Sequence, residues 1–164
     1  MKKLNTQMIT TIGILMAIEI VLSRFLSINI WSNKIGFAFV PCALCAVLFG
    51  VGPTVILEIL ADLLGATLFP SGAFFPGFTL TAALRGLSYG LLLGKEQTPV
   101  RIAAVTLFNN LVLGLGLNSL WISILYGSPF EALIVARVVQ CLILIPVEFV
   151  VITAIVKFGK RVVK

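Results

Sequence analysis

The sequence predicts an all-α fold: an integral membrane bundle of six helices with both termini in the cytoplasm. Three observations support this prediction. Of the 164 residues, 60% are hydrophobic and only 11% are charged, and the mean hydropathy is +1.16. A soluble domain carries a much larger charged share. Because one membrane span needs about 20 apolar residues, six spans and short loops use all of residues 1–164 as one domain.

Apolar runs separated by Gly, Pro and polar residues predict the six helices in order. The expected bounds are about 4–25, 37–50, 53–69, 76–94, 100–125 and 130–158. The cluster GVGP at 50–53 divides the second helix from the third, and Pro76 suits the first turn of the fourth. The turn YGSP at 126–129 precedes the sixth helix, and residues 26–36 are expected to form a polar and aromatic loop.

The Lys and Arg residues lie at the predicted helix ends and are distributed unevenly between the two sides. One side holds Lys2, Lys3, Lys95, Arg101, Lys157, Lys160, Arg161 and Lys164. The other side holds Arg24 and Lys34. Because cytoplasmic loops carry an excess of Lys and Arg, this distribution predicts a multi-pass protein of the cell membrane with both termini inside. The net charge of +6 is then a topology signal, and no nucleic-acid partner is expected.

The sequence argues against an enzyme. It contains no His, which removes Ser-His-Asp triads, HExxH metal sites and imidazole proton relays. Cys42, Cys45 and Cys141 lie in apolar segments and are expected to be small core residues. No metal site and no cofactor is predicted. The Walker A pattern is absent, so any ATP that drives this protein must be hydrolysed by a partner.

Several polar residues lie inside the predicted helices, where they are costly and normally face partners. Glu58 and Asp62 share one face of the third helix, and Arg85 lies near the middle of the fourth. The spacing predicts an Asp62–Arg85 pair, which either only joins the two helices or also forms part of a ligand pocket. Asn109 and Asn110 lie deep in the fifth helix and are candidates to bridge helices by hydrogen bonding.

A second group of polar residues lies toward the outer side. Three cations, Arg24, Lys34 and Arg137, are expected to converge there. Asn118 and Trp121 lie about one turn apart and are suited to hydrogen-bond and stack on a flat ring, although Trp121 also fits an interfacial aromatic belt. This placement predicts an anionic ligand with a planar heterocycle that enters from outside.

Small residues form two stripes with a spacing of four. The stripe in the fourth helix, which predicts close helix packing, consists of Ala82, Gly86, Gly90 and Gly94. Gly13 and Ala17 repeat the spacing in the first helix. This second stripe either packs internally or docks another protein.

Three segments resemble the substrate-binding S components of energy-coupling factor (ECF) vitamin transporters, most closely the folate-specific members. The segments are EIVLSRF at 19–25, FPGFT at 75–79 and ALRGLSYG at 83–90. The resemblance implies a six-helix fold whose outer pocket is formed by the first loop and the fourth to sixth helices. It also implies a transmembrane T component and two cytoplasmic ATPase subunits as partners, and a loaded S component that topples in the membrane to release its vitamin inside.

The resemblance also implies roles for individual residues. Folate would have its glutamate carboxylates near Arg24, Lys34 and Arg137, and its ring system on Trp121. The polar edges would contact Asn118 together with Asp62 or Arg85. A helix-1 motif, AxxxA, contacts the T component in the family, and here Gly13 and Ala17 fill that spacing with Gly in place of the first Ala. The alternatives are another planar vitamin such as riboflavin, a membrane assembly subunit without transport activity, and a small membrane enzyme.

Overall fold

Six helices make up most of the structure, a computed structural model that describes residues 6–30, 33–70 and 72–162. They are α1 (Thr6–Arg24), α2 (Phe39–Phe49), α3 (Val51–Leu68), α4 (Pro76–Leu93), α5 (Pro99–Tyr126) and α6 (Phe130–Val162). The predicted six-helix bundle is confirmed. The bounds lie close to the predicted ones, except that α6 continues to Val162. The predicted start of the first helix at residue 4 lies outside the described residues.

The loop between α1 and α2, predicted as polar and aromatic, contains a small antiparallel hairpin that the sequence did not indicate. Its strands are β1 (Ile28–Ile30) and β2 (Asn33–Ile35), and Asn29 is paired with Lys34. Each strand has only three residues. The apolar and polar residues alternate over too short a run to indicate a strand from the sequence alone.

The helices differ in their capacity to cross a membrane. By length and composition, α1, α3, α5 and α6 are long and apolar enough to do so. At about 1.5 Å per residue, the 11 residues of α2 are too few for a hydrocarbon layer about 30 Å thick. Among the described helices, α2 is therefore shorter than a typical membrane span. It contributes core residues, and it meets α3 at Gly50, whose φ of 79° favours glycine.

A hydrophobic cluster joins α2 to α4, α5 and α6. Its buried members are Phe39, Cys42, Ala43, Ala46, Tyr89, Leu93, Ile102, Val105, Ile152 and Val156. Cys45 packs in a second cluster with Leu15 of α1 and Leu57 of α3. The three cysteines are buried, as predicted for core residues.

The glycines of α4 allow it to lie directly against the backbone of α3. A Cβ atom at Gly86 would lie 2.9 Å from the Thr54 carbonyl oxygen and 2.9 Å from Val55 Cα. A Cβ atom at Gly90 would lie 2.5 Å from Val51 Cα. All three distances are too short for a side chain, so the predicted close packing of this stripe is confirmed.

The middle of α5 is wider than an α-helix. Residues Phe108–Leu117 form a π-helix, with regular α-helix on both sides. π-Helical segments are rare and occur frequently at functional sites. The sequence did not indicate this segment, because its apolar composition fits a continuous α-helix equally well.

We expect Gly90→Ala to destabilise the protein, because the added methyl group must displace the α3 backbone at Val51. Overpacking of this kind costs about 1–3 kcal/mol. Thermal unfolding of the purified protein in detergent would show a lower midpoint.

The matched control for this substitution is Gly52→Ala. A Cβ atom at Gly52 meets nothing within 4 Å, and alanine has the higher helix propensity, so the midpoint should be unchanged or raised. Equal midpoints for the two variants would contradict the close α3–α4 packing.

Candidate ligand-binding site

A cavity of about 760 Å³ lies between α1, α3, α4, α5 and α6. The three loops that follow α1, α3 and α5 all contribute to its wall at one end of the bundle, which we call the mouth. Their lining residues include Ser27, Gly36, Gly72, Ala73, Phe74 and Ser128. The volume is in the range of small-molecule sites, and the pocket predicted near the first loop is present.

The cavity brings together most of the predicted site residues. Five of them line it: Arg24, Asp62, Arg85, Asn118 and Arg137. Each comes from a different helix, in the order α1, α3, α4, α5 and α6, so only the folded bundle assembles them. The backbone of Lys34 lies in β2, and its side chain lies outside what the structure describes. Trp121, the seventh predicted residue, does not line the described part of the wall.

Trp121 supports the wall from behind. Its indole Nε1 donates a hydrogen bond of 3.0 Å to Thr81 Oγ1, and its ring lies 5.6 Å from that of Phe75, which does line the cavity. Gly77 makes this packing possible, because a Cβ atom there would lie 2.6 Å from the indole. Trp121 therefore positions Phe75, and direct stacking of Trp121 on a ligand stays a prediction.

The predicted Asp62–Arg85 pair is wrong, because Arg85 pairs with Glu58. Arg85 Nε and Nη2 each lie 2.8 Å from Glu58 Oε2. Asp62 instead accepts a hydrogen bond of 2.8 Å from Thr79 Oγ1. The antiparallel register of α3 and α4 that places Thr79 beside Asp62 places Arg85 beside Glu58, which lies about one turn deeper than Asp62 on α3. Glu58 is fully buried, whereas the Arg85 side chain is 37% exposed toward the cavity.

The two other predicted guanidinium groups are held against helix backbones. The side chain of Arg24 crosses α3 at Gly65, where an added Cβ atom would lie 3.0 Å from Arg24 Nε. Arg137 is buried, with 8% of its surface exposed. Its Nη1 donates a hydrogen bond of 2.8 Å to the carbonyl of Gly114 in the π-helical segment. The π-helical segment thus provides the acceptor that fixes Arg137 in the wall.

The expected bridging role of Asn109 and Asn110 is confirmed. Asn109 exchanges hydrogen bonds with Ser88 of α4, at 3.0 and 3.2 Å. Asn110 Nδ2 donates to Glu148 Oε2 of α6 at 2.8 Å. All four residues are buried, so these bonds join α5 to both of its neighbours inside the bundle.

Sequence reasoning missed two acidic residues of the cavity wall. Glu19 of α1 is 4% exposed and Glu148 of α6 is 8% exposed, and both line the cavity. Glu19 also lies close to Glu58 and Arg85. An acidic residue within an apolar run indicates a functional or structural role. This signal identified Glu58 and Asp62, and it is also present at Glu19 and Glu148.

A membrane bundle with a polar cavity at one end is suited to bind a small solute within the bilayer, and sequence comparison gives the class. Residues 7–156 match the family described as ECF transporter, substrate-specific component. The chain belongs to this family. It is accordingly a component of a membrane transporter and a multi-pass membrane protein.

Relatives within the family are more specific. The chain is 36% identical to folate transporter FolT of Clostridium novyi (strain NT), over 93% of this chain and 88% of that protein. It is 33% identical to folate transporter FolT of Leuconostoc mesenteroides subsp. mesenteroides, over 89% of this chain and 82% of that protein. A crystal structure of FolT bound with folic acid matches with a TM-score of 0.85 at 34% identity, covering 96% of this chain and 95% of that one.

We expect Glu58→Gln to lower stability more than Asp62→Asn does. Glu58→Gln removes the charge that Arg85 contacts, and hydrogen bonds between charged groups contribute about 1.5–3 kcal/mol. Asp62→Asn keeps an oxygen that accepts from Thr79. Thermal unfolding without ligand gives the midpoint of each variant. A larger decrease for Asp62→Asn would contradict the Arg85–Glu58 pair and favour an Asp62–Arg85 pair.

Proposed function

We propose that this chain is the folate-binding S component of an ECF transporter. It captures folate or a folate derivative from outside the cell. The observation that carries the proposal is the cavity of about 760 Å³ with Arg24 and Arg137 in its wall. The similarity to the two FolT proteins and to the structure with folic acid supports the same ligand class.

The chemistry of the wall suits folate. Folate carries two carboxylates at one end and a planar pterin at the other. Arg24 and Arg137 supply guanidinium groups, which pair well with carboxylates. Phe75 supplies an aromatic face, and Asn118 and Asp62 supply polar groups for hydrogen bonding. Lys34 is proposed to supply a third cation for the carboxylates, as in the sequence-based prediction.

The mouth is proposed to face the outside of the cell. Lys95 and Arg101 of the α4–α5 connection and Lys157 near the end of α6 lie at the opposite end of the bundle. An excess of basic residues marks the cytoplasmic side. Thr6 at the start of α1 and Val162 at the end of α6 lie at that end, so both termini would then be cytoplasmic.

Transport is proposed to require a transmembrane T component and two cytoplasmic ATPases, as family membership implies. The sequence lacks a Walker A pattern, so the chain itself has no recognisable ATPase site. Gly13 and Ala17 lie exposed on α1, and a Cβ atom at Gly13 would meet nothing within 4 Å. This small-residue surface fits the close approach of another helix. In this role the chain is a binding protein and not an enzyme.

The alternatives are an S component for another planar vitamin such as riboflavin, and an assembly subunit that binds no vitamin. Isothermal titration of the detergent-purified protein with folate, 5-formyltetrahydrofolate and riboflavin separates the three. Binding of either folate supports the proposal, binding of riboflavin alone favours the first alternative, and no binding of any probe favours the second.

We expect Arg24→Gln and Arg137→Gln each to weaken folate binding by about tenfold or more, because one charged hydrogen-bonding partner of a carboxylate is lost. Arg101→Gln is the matched control, since Arg101 pairs with Glu96 at the opposite end. Titration with folate measures all three variants. Unchanged affinity in both Arg24→Gln and Arg137→Gln would remove the basis for an anionic ligand here.

We expect Gly13→Leu to abolish folate uptake in cells that supply the coupling partners while leaving folate binding intact. The larger side chain would prevent close approach at α1. Ala132→Leu adds a similar bulk to an exposed position of α6 and should leave both activities unchanged. Normal uptake by Gly13→Leu would place the T component on a different surface.

A further inference from the structure

The cavity continues well below Arg24 and Arg137 of its wall. From Arg137 to Glu148, α6 extends for about 16 Å at 1.5 Å per residue, and both residues line the cavity. Asn110 of α5 and Tyr89 of α4 line the same deep region. We call Tyr89, Asn110 and Glu148 the floor of the cavity.

Glu148 is a buried carboxyl group that forms no ion pair within the described part of the chain. Arg85 pairs with Glu58, and Arg101 pairs with Glu96. Glu148 receives one hydrogen bond of 2.8 Å, from Asn110 Nδ2 to its Oε2. A carboxylate has about four acceptor positions on its two oxygens. One amide donor therefore leaves most of this capacity for whatever enters the cavity.

Tyr89 gives the floor a second polar atom that lacks a partner. Its hydroxyl is buried and, within the described part of the chain, makes no hydrogen bond. Tyr89 is 0% exposed yet borders the cavity. Buried polar groups without partners are costly and normally acquire one. The floor thus places a carboxyl group and a hydroxyl without a partner in the described part of the chain beside the cavity.

The other acidic residues in the wall or directly behind it are less available. Glu58 is committed to Arg85, and Glu19 lies beside that same pair. Asp62 already accepts from Thr79 and lies nearer the mouth. Glu148 alone among these acids combines a deep position with an amide that fixes its orientation.

We propose that Glu148, positioned by Asn110, accepts two parallel hydrogen bonds from the N–H edge of the ligand's heterocycle. This inference rests on the proposed function. The pterin of folate presents a ring N–H and an adjacent exocyclic amino group in one plane, which matches the two oxygens of a carboxylate. The ring carbonyl next to that N–H is an acceptor for the Tyr89 hydroxyl. The heterocycle then enters first, and the glutamate carboxylates stay beside Arg24.

The test compares folate with 2-desamino-2-methylfolate, which replaces the amino donor by a methyl group. Competition titration of the purified full-length protein gives both affinities. We expect the unmodified protein to favour folate by about ten- to a hundredfold, the factor that one charged hydrogen bond supplies. In Glu148→Gln this preference should fall to threefold or less, because the amide offers one acceptor oxygen in place of two.

Glu131→Gln removes the same charge from an exposed position of the same helix and should keep the full preference. If Glu148→Gln does not purify as a folded protein, Glu148→Asp replaces it, since a side chain shorter by one methylene should also lose at least fivefold of the preference. Full preference in the folded Glu148 variant, or none in the unmodified protein, would overturn the proposal. Failure of the unmodified protein to bind folate at all would instead refute the proposed function.

Discussion

The rest of the structure depends on the requirement that ionic groups inside an apolar bundle find partners. The Arg85–Glu58 contact of 2.8 Å is the clearest case, because Glu58 is fully buried and a buried charge without a partner is costly. It holds α4 against α3 in one register. Gly86 and Gly90 allow that register, since side chains there would collide with the α3 backbone. The ion pair and the glycines therefore act together on one helix pair.

The same requirement applies to the polar groups of α5 and α6 in the wall of the cavity. The π-helical segment of α5 places the carbonyl of Gly114 where Arg137 donates to it. Asn110 of the same segment reaches Glu148. These contacts join α5 to α6 through polar atoms, and the same residues line the cavity. The groups that satisfy one another inside the bundle thus also form part of the ligand-binding wall.

The sequence predicted the features that depend on local composition. The helices follow from long apolar runs, and breaks such as Gly50 follow from glycine and proline. Arg24 and Arg137 were identified because a charged side chain in or at the end of an apolar run is costly and normally has a function there. The ion pair that it assigned wrongly depends on tertiary register. Whether Arg85 pairs with Glu58 or Asp62 is a difference of one turn between two helices, and the sequence of either helix alone does not determine it.

The position of the floor explains why an S component needs other proteins. Beyond Glu148, α2, α4, α5 and α6 are joined by buried apolar side chains, including Leu93, Ile102, Ile152 and Val156, each no more than 5% exposed. A charged vitamin cannot cross such packing at an acceptable cost. In the proposed function, a ligand that enters by the mouth must therefore leave by the mouth. Delivery to the cytoplasm then requires the whole chain to turn in the membrane, which exposes polar loops to lipid and so needs energy from the coupling partners.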